Sequence, residues 1–357
     1  MDGADAIVHT SYKELCKTTI GHHLLQSWAD MRARRNRQRL PFRPLSVELQ
    51  THSHPHAAIL FRYNSQHSGA RLTSLLADAD TLRNRLVLNL CAADEGVNDD
   101  DMPDHFRHWF SSTFEYEYPD EFDTQNRRIL TRGETLLRLH DIRVGLQIWR
   151  SSQEPRQCFS SFDKDFRDLE GQWAPVSPIE PVQFPTPATT FDYLRYCLCL
   201  ILSSPQVVNT YLLASHPDST GLLVPSIVAR MLSIIEGLDP AEVIHYDVYD
   251  TGPLWMLVTF VFCIPHRKIA SYILDTVLPR FEKITERGPL LIAFIHTKNM
   301  ISCILSQMEN GIIPLYCAES STITEDLILS PASRFGRKYA MIGRDASGAF
   351  RREVVES

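Results

Sequence analysis

Residues 125–151 read QNRRILTRGETLLRLHDIRVGLQIWRS, and this stretch decides the fold class. Its apolar residues recur at three- and four-residue spacing, as they do along one face of an amphipathic helix. The residues that approximate this face are Ile129, Leu130, Leu136, Leu137, His140, Val144 and Ile148. Gly133 and Gly145 lower the helix propensity without overturning the pattern. The stretch therefore predicts a long amphipathic helix.

The same spacing continues on both sides of this stretch. From residue 71 onward, Leu72, Leu76 and Leu86 belong to a leucine series with arginine and aspartate between its members. Further helices are predicted at 11–35, 104–116, 159–173, 189–202, 205–215, 222–237, 253–263, 265–285 and 288–309. Strand-like alternation is scarce, and no repeat has a fixed period. We therefore expect an all-α fold, a multi-helix array of packed antiparallel helix pairs.

Composition shifts divide the chain into three parts. Residues 1–69 form an irregular N-terminal segment with a basic run, and residues 70–317 form a helical, regulatory-type domain. A Pro-rich connection at 174–188 interrupts that domain, because five prolines at 175–187 prevent a helix from continuing. Residues 318–357 are rich in Ser, Thr, Gly and Arg, which predicts a flexible C-terminal tail.

Charge and cysteine usage favour an intracellular globular protein. The net charge of -7 over 357 residues is mild, so any contact with nucleic acid must be local. Most of the eight cysteines stand in apolar stretches, which suits reduced, buried thiols. Residues 1–10 lack the basic and apolar regions of a secretory signal. The longest apolar run, 254–264, has about half of the roughly 20 residues that a membrane span needs.

Three groups of polar residues invite a chemical role, and each has a plainer interpretation. His52, His54 and His56 alternate as metal ligands can, but Pro55 interrupts them and no cysteine or carboxylate completes the set. Cys197 and Cys199 are separated by one residue, not the two of a redox or zinc pair. The acidic residues Asp163, Asp165 and Asp168 have the spacing of an exposed helix face, where Lys164 and Arg167 can neutralise them. We therefore expect no metal, no cofactor and no catalytic residue.

Sequence motifs of the major enzyme classes are missing. The chain contains no Gly-x-Gly-x-x-Gly, no phosphate-binding Gly-x-x-x-x-Gly-Lys-Ser/Thr, no Gly-x-Ser-x-Gly and no His-Glu-x-x-His. These absences favour a binding protein, although a site can also form from residues that are distant in the sequence.

An arginine run provides the strongest local charge. Residues 31–39 hold five arginines and no acid. They are Arg32, Arg34, Arg35, Arg37 and Arg39. Such a run can act as a nuclear import signal or bind phosphates. The alternative interpretation is a solvated helix end whose arginines interact with the helix dipole.

Residues 133–140, continuing through 145–148 to Phe159 and 162–166, form a Leu-rich helix followed by an acidic, Phe-containing segment. A Trp/Phe helix precedes them at 105–114, and an apolar helix, a Cys-Pro turn and a Leu-rich helix follow at 252–274. This order resembles the helical regulatory region of fungal zinc-cluster (Zn2Cys6) transcription factors, over about 70–310. That family binds DNA through six cysteines in Cys-x-x-Cys pairs, and this chain has none. The resemblance implies a regulator without its own DNA-binding module.

The leading hypothesis is a fungal-type, transcription-regulator-like protein that controls a metabolic gene cluster through a helical ligand- or partner-binding domain. Its expected location is the nucleus, with the cytoplasm as the alternative. Its expected partners are other proteins, either a DNA-binding regulator or a second copy, without a membrane and without DNA contact by this chain alone. The alternative is a helical enzyme of secondary metabolism that uses scattered residues such as His140, His245 and Asp247. A third hypothesis is a scaffold with no ligand.

Overall fold

The chain is of the all-α class, and its described residues also form a three-stranded and a two-stranded sheet. The computed structural model describes residues 2–22, 24–25, 27–28, 68–114, 130–151, 171–172, 179–213, 223–224, 226–243, 252–284, 289–319 and 338–356.

The helices are α1 (Asp2–Leu15), α2 (Ser68–Asp94), α3 (Met102–Phe114), α4 (Arg132–Ser151), α5 (Pro187–Leu202), α6 (Pro205–Val207), α7 (Ser226–Glu236), α8 (Pro240–Val243), α9 (Pro253–Cys263), α10 (Arg267–Tyr272), α11 (Leu278–Glu282) and α12 (Pro289–Glu309). A π-helix at Val208–Leu213 continues α6, and a second one at Ile273–Val277 joins α10 to α11. The strands are β1 (Gly171–Gln172), β2 (Leu223–Val224), β3 (Ile313–Glu319), β4 (Lys338–Arg344) and β5 (Phe350–Glu356).

The predicted helices after residue 187 lie close to the observed ones, and the N-terminal prediction is wrong in its start and in its continuity. The helix expected at 11–35 begins at Asp2 instead and ends at Leu15, with Val8 and Tyr12 buried on one side. After a break at 16–18, residues 19–22, 24–25 and 27–28 are again helical. The helix expected at 159–173 falls mostly outside the described residues. Its last part is wrong, since Gly171 and Gln172 form β1, which pairs antiparallel with β2.

Helix α2 occupies the centre of the fold. Its residues Leu72, Leu86 and Cys91 have no exposed surface, and the helix contacts α3, α4, α5 and the sheet. Buried apolar residues therefore run around several sides of α2 and not along one stripe. A helix with this distribution is enclosed by its neighbours, because each apolar side has to be covered.

The Pro-rich connection is irregular over 179–186 and is anchored on α7. The Val182 amide donates a hydrogen bond to the Ser233 carbonyl at 2.9 Å. A Cβ atom at Gly237 would lie 2.1 Å from the Val182 carbonyl oxygen, so only glycine permits this approach. The connection ends where the Thr186 hydroxyl accepts a hydrogen bond from the Thr189 amide and caps α5.

Arginine side chains cap the carboxyl ends of three helices. The Arg267 Nε atom donates to Met308 O at 3.1 Å, and the Arg280 Nη1 atom donates to Glu236 O at 3.0 Å. The Arg83 guanidinium donates to the Phe262 carbonyl near the end of α9. Terminal carbonyls of a helix have no intrahelical donor, so these side chains satisfy them from neighbouring elements.

The flexible tail predicted for 318–357 is wrong over 338–356. Strands β3, β4 and β5 form an antiparallel sheet in that order, and six of the seven residues of β4 are buried. Buried strands read as continuous apolar runs, and Tyr339–Ile342 is such a run between charged residues. Composition averaged over forty residues conceals this short segment. Residues 320–337 lie outside the described part of the chain.

The turn between β4 and β5 depends on the Asp345 carboxylate. It accepts hydrogen bonds from the Ser347 hydroxyl at 2.5 Å and from the Ala349 amide at 3.2 Å, and it pairs with the Arg351 Nε atom at 2.8 Å. These donors stabilise the charged form and lower the pKa of Asp345 to about 2, with Ser347 making the largest contribution.

We predict that acid weakens this turn. The pKa in the folded chain lies below the ordinary value of about 3.9. The stabilisation is therefore complete above about pH 4 and is lost as the pH falls through about 2. An NMR titration of the Asp345 carboxyl carbon should give a midpoint near 2, and the Asp345→Asn variant should lack that resonance. A midpoint near 4 would contradict the geometry of the turn.

No single helix in the described ranges is long and apolar enough to cross a membrane. The bent pair formed by α5 and Pro205–Leu213 passes this test by length and composition alone. Most residues of α5 are buried inside the fold.

Candidate protein-interaction surface

Most residues that were predicted as candidate sites lie outside the described residues. This applies to the arginine run, to the histidines at 52–56, to the acidic group at 163–168, and to His245 and Asp247. His140 is described and lies on the exposed side of α4. The enzyme hypothesis therefore stays a prediction, because His245 and Asp247 lie outside the described residues.

The cysteines at 197 and 199 are fully buried in α5. Burial raises the pKa of Cys197 to about 12 and raises the pKa of Cys199 as well, because a thiolate loses its hydration there. The pKa of Cys263 is likewise raised to about 12 by burial. Thiols of this kind are poor nucleophiles and poor metal ligands. They act as small apolar residues of the core.

One polar cluster joins α2, α3 and β5. The Glu95 carboxylate lies 2.7 Å from His105 Nε2 and 2.8 Å from Arg352 Nε. The Arg352 guanidinium lies over the Trp109 ring, 5.2 Å from its centroid. The polar groups bind one another, so the cluster connects the β4–β5 hairpin to the helices. Within the described ranges, no group of three or more His, Cys, Asp or Glu side chains could hold a metal ion.

Helix α4 begins with a capping box. The Glu134 carboxylate accepts a hydrogen bond from the Thr131 amide at 3.0 Å, and the Glu134 amide donates to the Thr131 hydroxyl at 3.3 Å. The capping box explains why the helix starts at Arg132, later than the sequence pattern predicts. It also makes the orientation of the first turn well defined.

The inner face of α4 packs against α2 and α5. Its buried residues are Thr135, Leu139, Ile142, Leu146 and Trp149. The Trp149 ring stacks on Tyr196 of α5 with centroids 5.4 Å apart. At Gly145 a Cβ atom would lie 3.1 Å from the Leu75 side chain, so the missing side chain lets α2 approach closely. These contacts determine which side of α4 faces the core.

A second apolar face of α4 points to solvent. Leu137, Val144 and Ile148 are 61%, 41% and 49% exposed. At 100° per residue these three positions lie within about 40° of one another around the helix axis, so they form one row. We call these three residues the outer stripe. Apolar side chains that form one exposed row are a candidate surface for binding another molecule.

An acidic side chain lies within the outer stripe. Asp141 follows Leu137 by one helical turn and precedes Val144 by three residues, so all four positions share one side of α4. Its carboxylate is 3.7 Å from Arg138 Nη1, and the two side chains are 55% and 42% exposed. A pair this exposed and this long is weak. The carboxylate therefore remains accessible to an incoming cation.

The sequence pattern identified the residues of the outer stripe but assigned them the wrong environment. The predicted apolar face contained Leu137, Val144 and Ile148, and an apolar face normally lies against the core. In the structure Leu139, Leu146 and the other inner residues take that place. The sequence contains a signal for this arrangement, namely two apolar rows on one helix.

A shallow depression lies at the sheet, and no residue of the outer stripe lines it. It is lined by residues of all three strands, by Ile312 and by Gln307 near the end of α12, and its volume of about 190 Å³ includes open solvent. Ligand-binding pockets usually enclose several hundred Å³ and bury most of their ligand. This depression does not have the form of an enzyme site.

No protein-family model, curated protein or solved structure matches this chain.

Proposed function

We propose that this chain is a transcription-regulator-like protein of fungal type, which acts by binding another protein through the outer stripe of α4. The observation that carries the proposal is the exposed row of Leu137, Val144 and Ile148 on a helix whose opposite side is anchored in the core. Such a row can stabilise a complex when a partner covers it, because apolar surface is then removed from water.

The sequence resemblance supports the transcriptional part of the proposal. The segments that resemble zinc-cluster regulators include α3 and α4, so the outer stripe belongs to the region in question. The chain has no Cys-x-x-Cys pairs with which to hold a zinc cluster. Contact with DNA would therefore pass through a partner that has its own DNA-binding module.

Burial of the reactive groups supports binding over catalysis. The thiols of Cys197, Cys199 and Cys263 have raised pKa values, and these residues are at most 1% exposed. His140, which the enzyme hypothesis uses, stands on the exposed side of α4. A general acid or base usually lies in a cleft that excludes water.

We predict that the arginine run directs the chain to the nucleus. A fluorescently tagged chain should be mainly nuclear, and replacing the five arginines at 32–39 with glutamine should distribute it evenly, because import signals are read through their positive charge. The measurement is the nuclear fraction in living fungal cells. Replacing the same arginines with lysine keeps the charge and should keep the localisation.

A reporter assay then tests the role of the outer stripe. Fused to an unrelated DNA-binding domain, the chain should change transcription of a reporter gene, and Leu137→Ser with Ile148→Ser should remove most of this effect. The control is Ile295→Ser, which alters an isoleucine of α12 that is 41% exposed. Nuclear exclusion of the unmodified chain, or a reporter that ignores the fusion, would contradict the proposed function.

A further inference from the structure

We infer that the partner of the outer stripe is an amphipathic helix of a different protein, with apolar side chains at three- and four-residue spacing and a lysine or arginine that faces Asp141. The inference rests on the proposed function and specifies the chemistry of its binding surface. Its basis is the order Leu137, Asp141, Val144 and Ile148 along one side of α4.

The spacing of these four residues is that of a helix-pairing seam. Successive separations of four, three and four residues correspond to alternating core positions of a heptad repeat. The seam extends over about 16 Å of helix at 1.5 Å per residue, which is three turns. A helix of similar length is the shape that matches a straight, narrow apolar row.

The acidic position excludes a second copy as the favoured partner. In a parallel pair, Asp141 would face Asp141 of the other copy, and the two carboxylates would repel each other. In an antiparallel pair that matches Leu137 with Ile148, each Asp141 would face Val144 and lose hydration without gaining a counter-charge.

A basic side chain of the partner, placed opposite Asp141, would supply the counter-charge that a second copy lacks. Within its own chain, the Asp141 carboxylate pairs with Arg138 at 3.7 Å, and the Arg138 side chain is 42% exposed. A partner lysine or arginine would lie closer and would be shielded by the apolar residues on both sides. Charge pairs across an interface select the correct partner and register more than they add affinity. Asp141 therefore acts as the specificity determinant of the surface.

The same carboxylate argues against a lipid surface. A helix that inserts into a bilayer interface keeps its apolar side free of acids, and anionic lipids would repel Asp141. The outer stripe also lacks the aromatic residues that anchor such helices.

A displayed library of helical peptides tests this inference. Peptides are selected on the full chain and counter-selected on the Leu137→Ser, Ile148→Ser variant. This variant should fold normally because the two side chains are 61% and 49% exposed. We expect the selected peptides to combine an apolar row with a lysine or arginine at one fixed position. Binding to Asp141→Lys should fall by about tenfold, and a new selection on that variant should yield glutamate or aspartate at the same position.

Three results would overturn the inference. The first is a set of peptides that binds the Leu137→Ser, Ile148→Ser variant as tightly as the unmodified chain. The second is a basic preference that persists in Asp141→Lys. The third is self-association in sedimentation, or binding to vesicles of phosphatidylcholine and phosphatidylserine, that depends on the outer stripe. Ile295→Ser should leave peptide binding unchanged. The localisation and reporter assays do not use these peptides, so the two proposals can fail separately.

Discussion

Replacing Trp149 with alanine is expected to lower the free energy of unfolding by about 3–5 kcal/mol, the usual cost of removing a large aromatic side chain from a core. Trp149 is 1% exposed, and its ring stacks on Tyr196. The shortened side chain would leave a cavity between α4 and α5 that the surrounding helices can fill only in part. Urea denaturation followed by far-ultraviolet circular dichroism measures the loss.

The adjacent residue provides a matched control for this prediction. Ile148 is 49% exposed, so Ile148→Ala should change the free energy of unfolding by no more than about 0.5 kcal/mol. Equal losses at positions 148 and 149 would mean that α4 does not have one anchored side and one free side. The outer stripe would then be part of the core, and both proposals that depend on it would be wrong.

Replacing Arg83 with methionine is expected to cost about 3 kcal/mol, because buried acceptors would lose their donor. Arg83 is 3% exposed, and its guanidinium donates to Leu315 O at 2.8 Å and to Phe262 O at 2.7 Å. It thus connects α2 with β3 and with the end of α9. Methionine retains most of the apolar volume, so the loss reports mainly on the hydrogen bonds.

Two measurements check the Arg83 prediction. Urea denaturation should show the loss of stability, and hydrogen exchange should show weaker protection of β3. Arg138→Met is the control, since the Arg138 side chain is 42% exposed and its ion pair is weak. If the two variants had the same free energy of unfolding, the prediction would be wrong, because water would then satisfy the two carbonyls as well as the guanidinium does.

Helix positions were predictable where local chemistry marks them. Pro253 and Pro265 bracket an apolar run, and the predicted helix at 253–263 coincides with α9. Pro205 likewise stands at the first position of α6, where a missing amide hydrogen is tolerated. The start of α4 was less predictable, because the apolar spacing continues upstream of the capping box formed by Thr131 and Glu134.

The sheet and the orientation of α4 depend on distant parts of the chain. Strand β4 is buried on both sides, so it lacks the alternation by which a half-exposed strand is recognised. In α4, either of two apolar rows could face the core, and periodicity does not indicate which one does. Leu75 beside Gly145 and Tyr196 beneath Trp149 decide the outcome, and both belong to other helices.

The β4–β5 hairpin also has a consequence for biosynthesis. The Phe350 amide donates to the Asp94 carboxylate at 3.0 Å, across 256 positions of the sequence, and Arg352 pairs with Glu95. The ribosome therefore releases α2 and α3 long before the strands that cover them are translated. Until then, the apolar side chains of α2 and α3 that pack against these strands stay exposed to water, and chaperones can bind them. Premature termination between β3 and β4 would make that exposure permanent, and the shortened product should aggregate or be degraded.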